Sequence, residues 1–172
     1  MVPIVVMGVA GCGKSTVGKA LAERLQVPYG EADDFHPPAN VAKMQAGEAL
    51  TDSDRAPWLA TIAEWIGTAG EQGRVVSCSA LKRAYREYLT EQAREAILFV
   101  FLDGTQELIA SRMAVRQHEY MPASLLASQF ATLERPADDE NALKVPITLT
   151  VDEIVERTVQ AVPHLKSFKR KQ

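Results

Sequence analysis

Cysteine is scarce: 2 residues in 172, Cys12 and Cys78. They lack C-x-x-C spacing and have no histidine cluster to support them, which excludes a metal site built on thiolates and a disulfide framework. Two free thiols fit a reducing compartment. Long apolar runs are missing too, since none approaches the ~20 residues that a membrane span requires. The opening MVPIVVMG has no charged segment ahead of its apolar stretch and reaches glycine too soon for a signal peptide. A cytoplasmic, untargeted protein is the expectation. Positive charge is not in excess: Lys plus Arg is 19, Asp plus Glu is 22, and the net charge is −3. Such a chain offers no global field to a polyanion, so nucleic acid is not expected as the main partner. The one basic cluster, Lys166, Lys169, Arg170 and Lys171, reads as a solvated terminus. No internal repeat, low-complexity stretch or domain linker interrupts the chain. A single domain over residues 1–165 with a basic tail at 166–172 is expected.

What is present is an ordinary globular composition, 47% hydrophobic and 24% charged, which argues against disorder. Residues 4–7 form a short apolar run ending at glycine, the pattern of a buried strand. Lys14 to Leu25 carries Val17, Leu21 and Leu25 at helical spacing. A short second strand is expected at 27–29 and a brief helix at 40–45. Thr51 to Asp54 are helix-starting residues, followed by Trp58, Ile62, Trp65 and Ile66 on one helical face, read as core. A third strand is expected within 74–78, a helix at 82–93 and a fourth strand at 97–102, ILFVFL. Helices at 105–117 and 123–133 and a last strand at 145–149 follow. Thr150 and Glu153 make a capping box for the final helix. Strands separated by helices mean βαβ units and a parallel sheet covered on both faces.

Gly8-Val9-Ala10-Gly11-Cys12-Gly13-Lys14-Ser15 matches GxxxxGK[ST] between a strand and a helix, the context that motif requires. Its glycines let backbone N–H groups curl around phosphates, and the helix N-terminus points its positive end at the same anion. Lys14 can reach the β- and γ-phosphates, and the Ser15 hydroxyl can ligate Mg²⁺. Thr16 belongs with the same nucleotide-binding stretch. The loop means a nucleoside triphosphate and leaves open what is done with it. An N-K-x-D guanine reader is missing, which argues against a GTPase. The third strand ends Ser77-Cys78-Ser79 with no Asp to hold Mg²⁺, which argues against a motor NTPase. A short chain with scattered arginines suits a small kinase with a closing lid.

The stretch Glu31-Ala32-Asp33-Asp34-Phe35-His36-Pro37 follows the second strand, at the carboxyl edge where ligands bind in open α/β sheets. A carboxylate there can accept the proton of an attacking hydroxyl. Asn40, Lys43 and then Thr51-Asp52-Ser53-Asp54-Arg55 add hydrogen-bonding groups and cations suited to a carboxylate.

These stretches, with CSALKRAYREYL and LLASQFATLE-R-P-A-DDE, resemble the gluconokinases of the thermoresistant type, relatives in fold of shikimate and adenylate kinases. The resemblance runs from Ile4 to about Val162. It implies a P-loop nucleotide-kinase-like, three-layer α/β fold with a five-stranded parallel sheet and a mobile lid near 112–135, often as a homodimer. It implies transfer of a phosphoryl group from MgATP to the 6-hydroxyl of D-gluconate. Carried over, Gly8 to Ser15 hold ATP and Asp33 is the base. His36, Lys43 and Arg55 face the acceptor, Ser79, Lys82 and Arg86 lie beside it, and Arg112 and Arg116 lie over the phosphates. The family's R-x-x-H-F pattern is altered here: Arg116 is followed by Gln117-His118-Glu119-Tyr120, so Glu119 stands where a histidine is expected. A shikimate kinase would carry three glycines after the third strand, where this chain has Cys78-Ser79-Ala80. Mg²⁺ is expected on Ser15, the phosphates and water, with Asp33 as a further ligand through a water.

Overall fold

The computed structural model describes residues 1–115 and 123–164. Five strands are joined by helices in the order β1 (Ile4–Met7), α1 (Lys14–Leu25), β2 (Tyr29–Glu31), a 3-10 turn (Ala32–Phe35), α2 (Pro38–Gln45) and α3 (Asp52–Gly67). Then come β3 (Val75–Ser77), α4 (Arg83–Ala93), β4 (Leu98–Asp103), α5 (Gln106–Val115), α6 (Ala123–Thr132), β5 (Ala142–Pro146) and α7 (Val151–Ala161). The sheet order is β2-β3-β1-β4-β5, all parallel. β1 is central, with Ile4 opposite Val75 on one side and Leu98 on the other.

Both faces of the sheet are covered, so the central strands are apolar throughout rather than alternating with polar residues. Period-two alternation still sorts them. Ile4, Val6, Val75, Leu98, Val100 and Leu102 join one core with Val17 and Leu21 of α1 and Ile154 of α7. Val5, Met7, Val76, Phe99 and Phe101 join the other with Trp58, Ile62 and Ile66 of α3 and Leu89 of α4. The Trp58 stripe is therefore core, although Trp65 is only half-buried.

Two strands lie off their expected positions, and proline explains both. β2 runs over 29–31 rather than 27–29, because Pro28 has no N–H to give; its carbonyl still accepts from Val75 N at 3.0 Å. β5 runs over 142–146 rather than 145–149. Pro146 ends the ladder, a residue tolerated because β5 is at the edge. Both expected capping boxes form, at Thr51 with Asp54 and at Thr150 with Glu153. Strand order reverses beside β1, so the carboxyl ends of β1, β3 and β4 frame the crevice where such sheets bind ligands.

Candidate active site

Three loops meet at that edge. The first, residues 8–13, leaves β1 for α1. Gly13 has φ 101° and Gly11 has φ 77°, left-handed values that a side chain would strain. At Gly11 space is also short: a Cβ there would fall 2.5 Å from Sδ of Met113, so α5 packs directly on the loop. Lys14 Nζ donates to Val9 O at 3.0 Å, and Ser15 and Thr16 are exposed at the start of α1. Cys12 is buried, and burial raises its thiol pKa even though Lys14 pulls the other way. Cys78, also buried, is pushed up to about 12 by burial. Both thiols are therefore packing groups rather than nucleophiles.

A chain of hydrogen bonds ties this loop to β2 and β3. Ser15 Oγ donates to Glu31 Oε2 at 2.7 Å, and Tyr29 OH donates to the same oxygen at 2.6 Å. Tyr29 OH lies 2.9 Å from Ser77 Oγ, which donates to Lys14 O at 3.0 Å. Burial and then the Glu31 carboxylate push the Tyr29 phenol up to about 12, so it stays a donor. Glu31 was missed from sequence as a site residue. Its signal was a carboxylate at the end of a strand on the ligand edge; the fold sets it beside the Ser15 hydroxyl. Two oxygen donors in contact are chemistry that suits a hard cation sharing phosphate and water ligands.

The second loop is the 3-10 turn and α2. It separates the paired aspartates. Asp34 lines a cleft of about 500 Å³ at the outer edge with Lys19, Tyr29, Gly30, Glu31, Phe35 and Trp65. Asp33 is exposed on the side of His36 and Cys78, whose ionisation its charge influences. His36 stacks on Trp58 with ring centroids 4.5 Å apart and planes at 7°. Trp58 Nε1 in turn donates to Ala32 O at 2.6 Å. Burial lowers the His36 pKa, Asp33 opposes that, and Arg55 adds to it. The ring is neutral at pH 7, and its Nδ1 accepts from Asn40 Nδ2 at 3.3 Å. Asn40 also donates to Asp54 O at 2.8 Å, which fastens α2 to α3. Lys43 Nζ meets both Asp54 oxygens at 2.9 Å, and Asp54 also caps α3. That pair holds Lys43 against the start of α3.

The third loop, 78–82, follows β3. Gly8 N donates to Ser79 O at 3.3 Å, joining it to the phosphate loop. Ala80 sits at φ 42°, a left-handed conformation unusual for a residue with a Cβ. Arg86 explains how it persists. Its guanidinium donates to Ala80 O at 3.0 Å and Leu81 O at 3.3 Å and pairs with Glu140 at 2.6 and 3.0 Å, while its side chain is 1% exposed. Burial works to raise the Glu140 pKa, but Arg86, the Ala137 N–H and Arg83 together bring it below the usual range. Of the cations in the expected acceptor set, Arg86 is the buried one, its donors spent on Glu140 and on two carbonyls of the loop; it positions the loop. Lys82, Arg55 and the Tyr85 hydroxyl converge instead on Asp52, with Lys82 at 3.1 Å and Arg55 at 3.7 Å. Two half-buried cations thus share one exposed carboxylate, which leaves a net positive charge at this point of the site.

Arg112 lies in the last turn of α5, half-buried and next to Met113. Arg116, His118 and Glu119 lie outside the described residues, as does the basic tail. One contact not expected from sequence is that of Gln129 in α6, whose Oε1 accepts from Ala10 N at 2.6 Å.

A family model described as shikimate kinase matches residues 10–162. A gluconokinase from Gluconobacter oxydans is 46% identical over 159 residues, covering 91% of this chain and 89% of that protein. The crystal structure of a gluconokinase from Sinorhizobium meliloti superposes with a TM-score of 0.86 at 45% identity, covering 95% of this chain and 92% of that one. The shikimate kinase of Aquifex aeolicus superposes with a TM-score of 0.61 at 16% identity, over 94% of this chain and 96% of that one, a likeness of fold alone.

Proposed function

The chain belongs to the gluconokinase family, within the shikimate-kinase group of P-loop kinases, and from that premise we propose that it transfers the γ-phosphate of ATP to the 6-hydroxyl of D-gluconate, giving 6-phospho-D-gluconate and ADP. The observation that carries the reading is the junction of two loops. The Gly8 N–H to Ser79 O bond joins the loop after β3 to the phosphate loop, which supports a reading in which alcohol and triphosphate meet at one edge of the sheet.

The protein has little covalent work to do in such a transfer; positioning and charge stabilisation dominate. Lys14 and the loop amides neutralise the phosphates. Asp33 orients the alcohol and takes its proton. Lys82 and Arg55 pair the acceptor's carboxylate and so fix which end of the sugar acid faces ATP. His36, neutral and held flat on Trp58, offers a hydroxyl-binding edge. Mg²⁺ would be held by Ser15, with Glu31 beside it, and would supply charge neutralisation on the phosphates. Arg112 and Arg116 complete the reading as cations over the phosphates.

The test is a phosphate-acceptor screen with ATP over sugar acids, shikimate and nucleoside monophosphates. Gluconate should give the highest kcat/KM. A higher value for shikimate or for a nucleoside monophosphate overturns the reading.

A further inference from the structure

Gln129 touches the phosphate loop from a helix that no nucleotide motif includes. Its Oε1 accepts the Ala10 N–H at 2.6 Å across 119 residues of sequence. The contact is not an accident of a loose surface chain. Leu126, 3% exposed, and Phe130 seat α6 in the core, with Gln129 on the helix between them. Met113 and Ile109 of α5 pack on Gly11, the next residue of the loop. Just beyond α6, Glu134 N donates to Leu81 O at 2.8 Å, and its carboxylate accepts from Arg83 N at 2.7 Å. One stretch of chain therefore holds the phosphate loop at Gln129 and the acceptor loop at Glu134.

We propose that Gln129 is a positioning residue for phosphoryl transfer, a latch whose carboxamide holds the Ala10 N–H and yields it to a phosphoryl oxygen. Ala10 is the third residue of a motif whose backbone amides cradle phosphates. One N–H cannot serve two acceptors in line, so a triphosphate oxygen that uses this donor displaces Gln129 from it. A carboxamide suits the exchange because it carries both an acceptor oxygen and two N–H donors. Once displaced, it can turn and donate to the phosphate that replaced it. A carboxylate of the same shape has only acceptors. It would hold the loop amide more tightly and repel the incoming anion. Because Glu134 grips the acceptor loop on the same segment, movement of Gln129 is felt at both substrates' loops.

The proposal rests on ATP binding at residues 8–15. The experiment uses Gln129→Glu and Gln129→Ala, with ATP binding measured by calorimetry and turnover measured with gluconate on the same preparations. Gln129→Glu should weaken ATP binding and raise its KM by about tenfold or more, leaving the KM for gluconate and the melting temperature near those of the parent. Gln129→Ala removes the competitor and the donor together, so kcat should fall by about tenfold with no rise in the KM for ATP. An ATP affinity for Gln129→Glu within twofold of the parent overturns the proposal. So does a pattern in which both variants only lower the melting temperature, which is what a structural contact would give. If the parent binds ATP and fails to phosphorylate gluconate, the acceptor assignment fails while the calorimetric arm still decides the latch.

Discussion

At the scale of residues, the proposed chemistry depends most on Asp33. It was legible in the sequence because it follows a strand at the ligand edge, but its neighbour Asp34 was equally eligible there. The 3-10 turn separates them: Asp33 is exposed beside His36, while Asp34 faces the outer cleft. Asp33→Asn keeps size and most hydrogen bonding but cannot take a proton near neutral pH. It should lower kcat by roughly 10²–10⁴ and leave ATP affinity unchanged, since the phosphate loop is untouched. Turnover close to that of the parent with a lowered melting temperature would make Asp33 structural and move attention to Asp34. Glu31 shows the opposite situation. Its residue type and position were in plain view, but only the fold reveals that Ser15, 16 residues away, donates to it.

Among the elements, α4 and the loop before it carry the clearest division of labour. Lys82, at the N-cap of α4, points its amine at Asp52, whereas Arg86 one turn on is buried. The family resemblance places both in one acceptor motif, and helical spacing cannot show which basic residue meets a carboxylate from a distant loop. Glu140, 54 residues further on, is the partner that makes the difference. Arg86→Met should therefore act on stability rather than on acceptor recognition alone. It strands the Glu140 carboxylate in the interior and frees the loop around Ala80, at a cost of about 3–5 kcal/mol. Urea unfolding measures this. The double variant Arg86→Met/Glu140→Leu should recover most of the loss, because an apolar pair of similar volume needs no compensating charge. A single variant as stable as the parent would refute the pinning role.

For the whole molecule, stability should fall on the acid side and be flat from pH 7 to 9. His36 has a pKa below its ordinary 6.5, so the folded state resists its protonation. Its contribution is full above 6.5 and is lost as pH drops through the folded value. Hydrogen bonds from Lys43 and from Thr51 hold Asp54 down from 3.8 to about 2, so that contribution is present above 3.8 and lost as pH falls through 2. Glu140, below its ordinary 4.5, adds to the same limb. Lys43 and Lys82 lie above 10.5, so their part persists until pH rises beyond that. Urea midpoints should decline below pH 6 and more steeply below 4.5, and Asp54→Asn should flatten the limb between 3.8 and 2. A midpoint constant from pH 7 to 3 would contradict this account. The sequence by itself determined the strands that are apolar on both faces, the helices with capping residues, and the phosphate loop. In each, hydrophobic period, a cap or a glycine-rich turn is local information carried within a dozen residues or so. The tertiary structure alone decided that Glu31 meets Ser15, that Arg86 belongs to Glu140 and that Gln129 holds Ala10. Those partners lie 16, 54 and 119 residues apart, and only packing of helices around the twisted sheet brings such side chains within a hydrogen bond of each other.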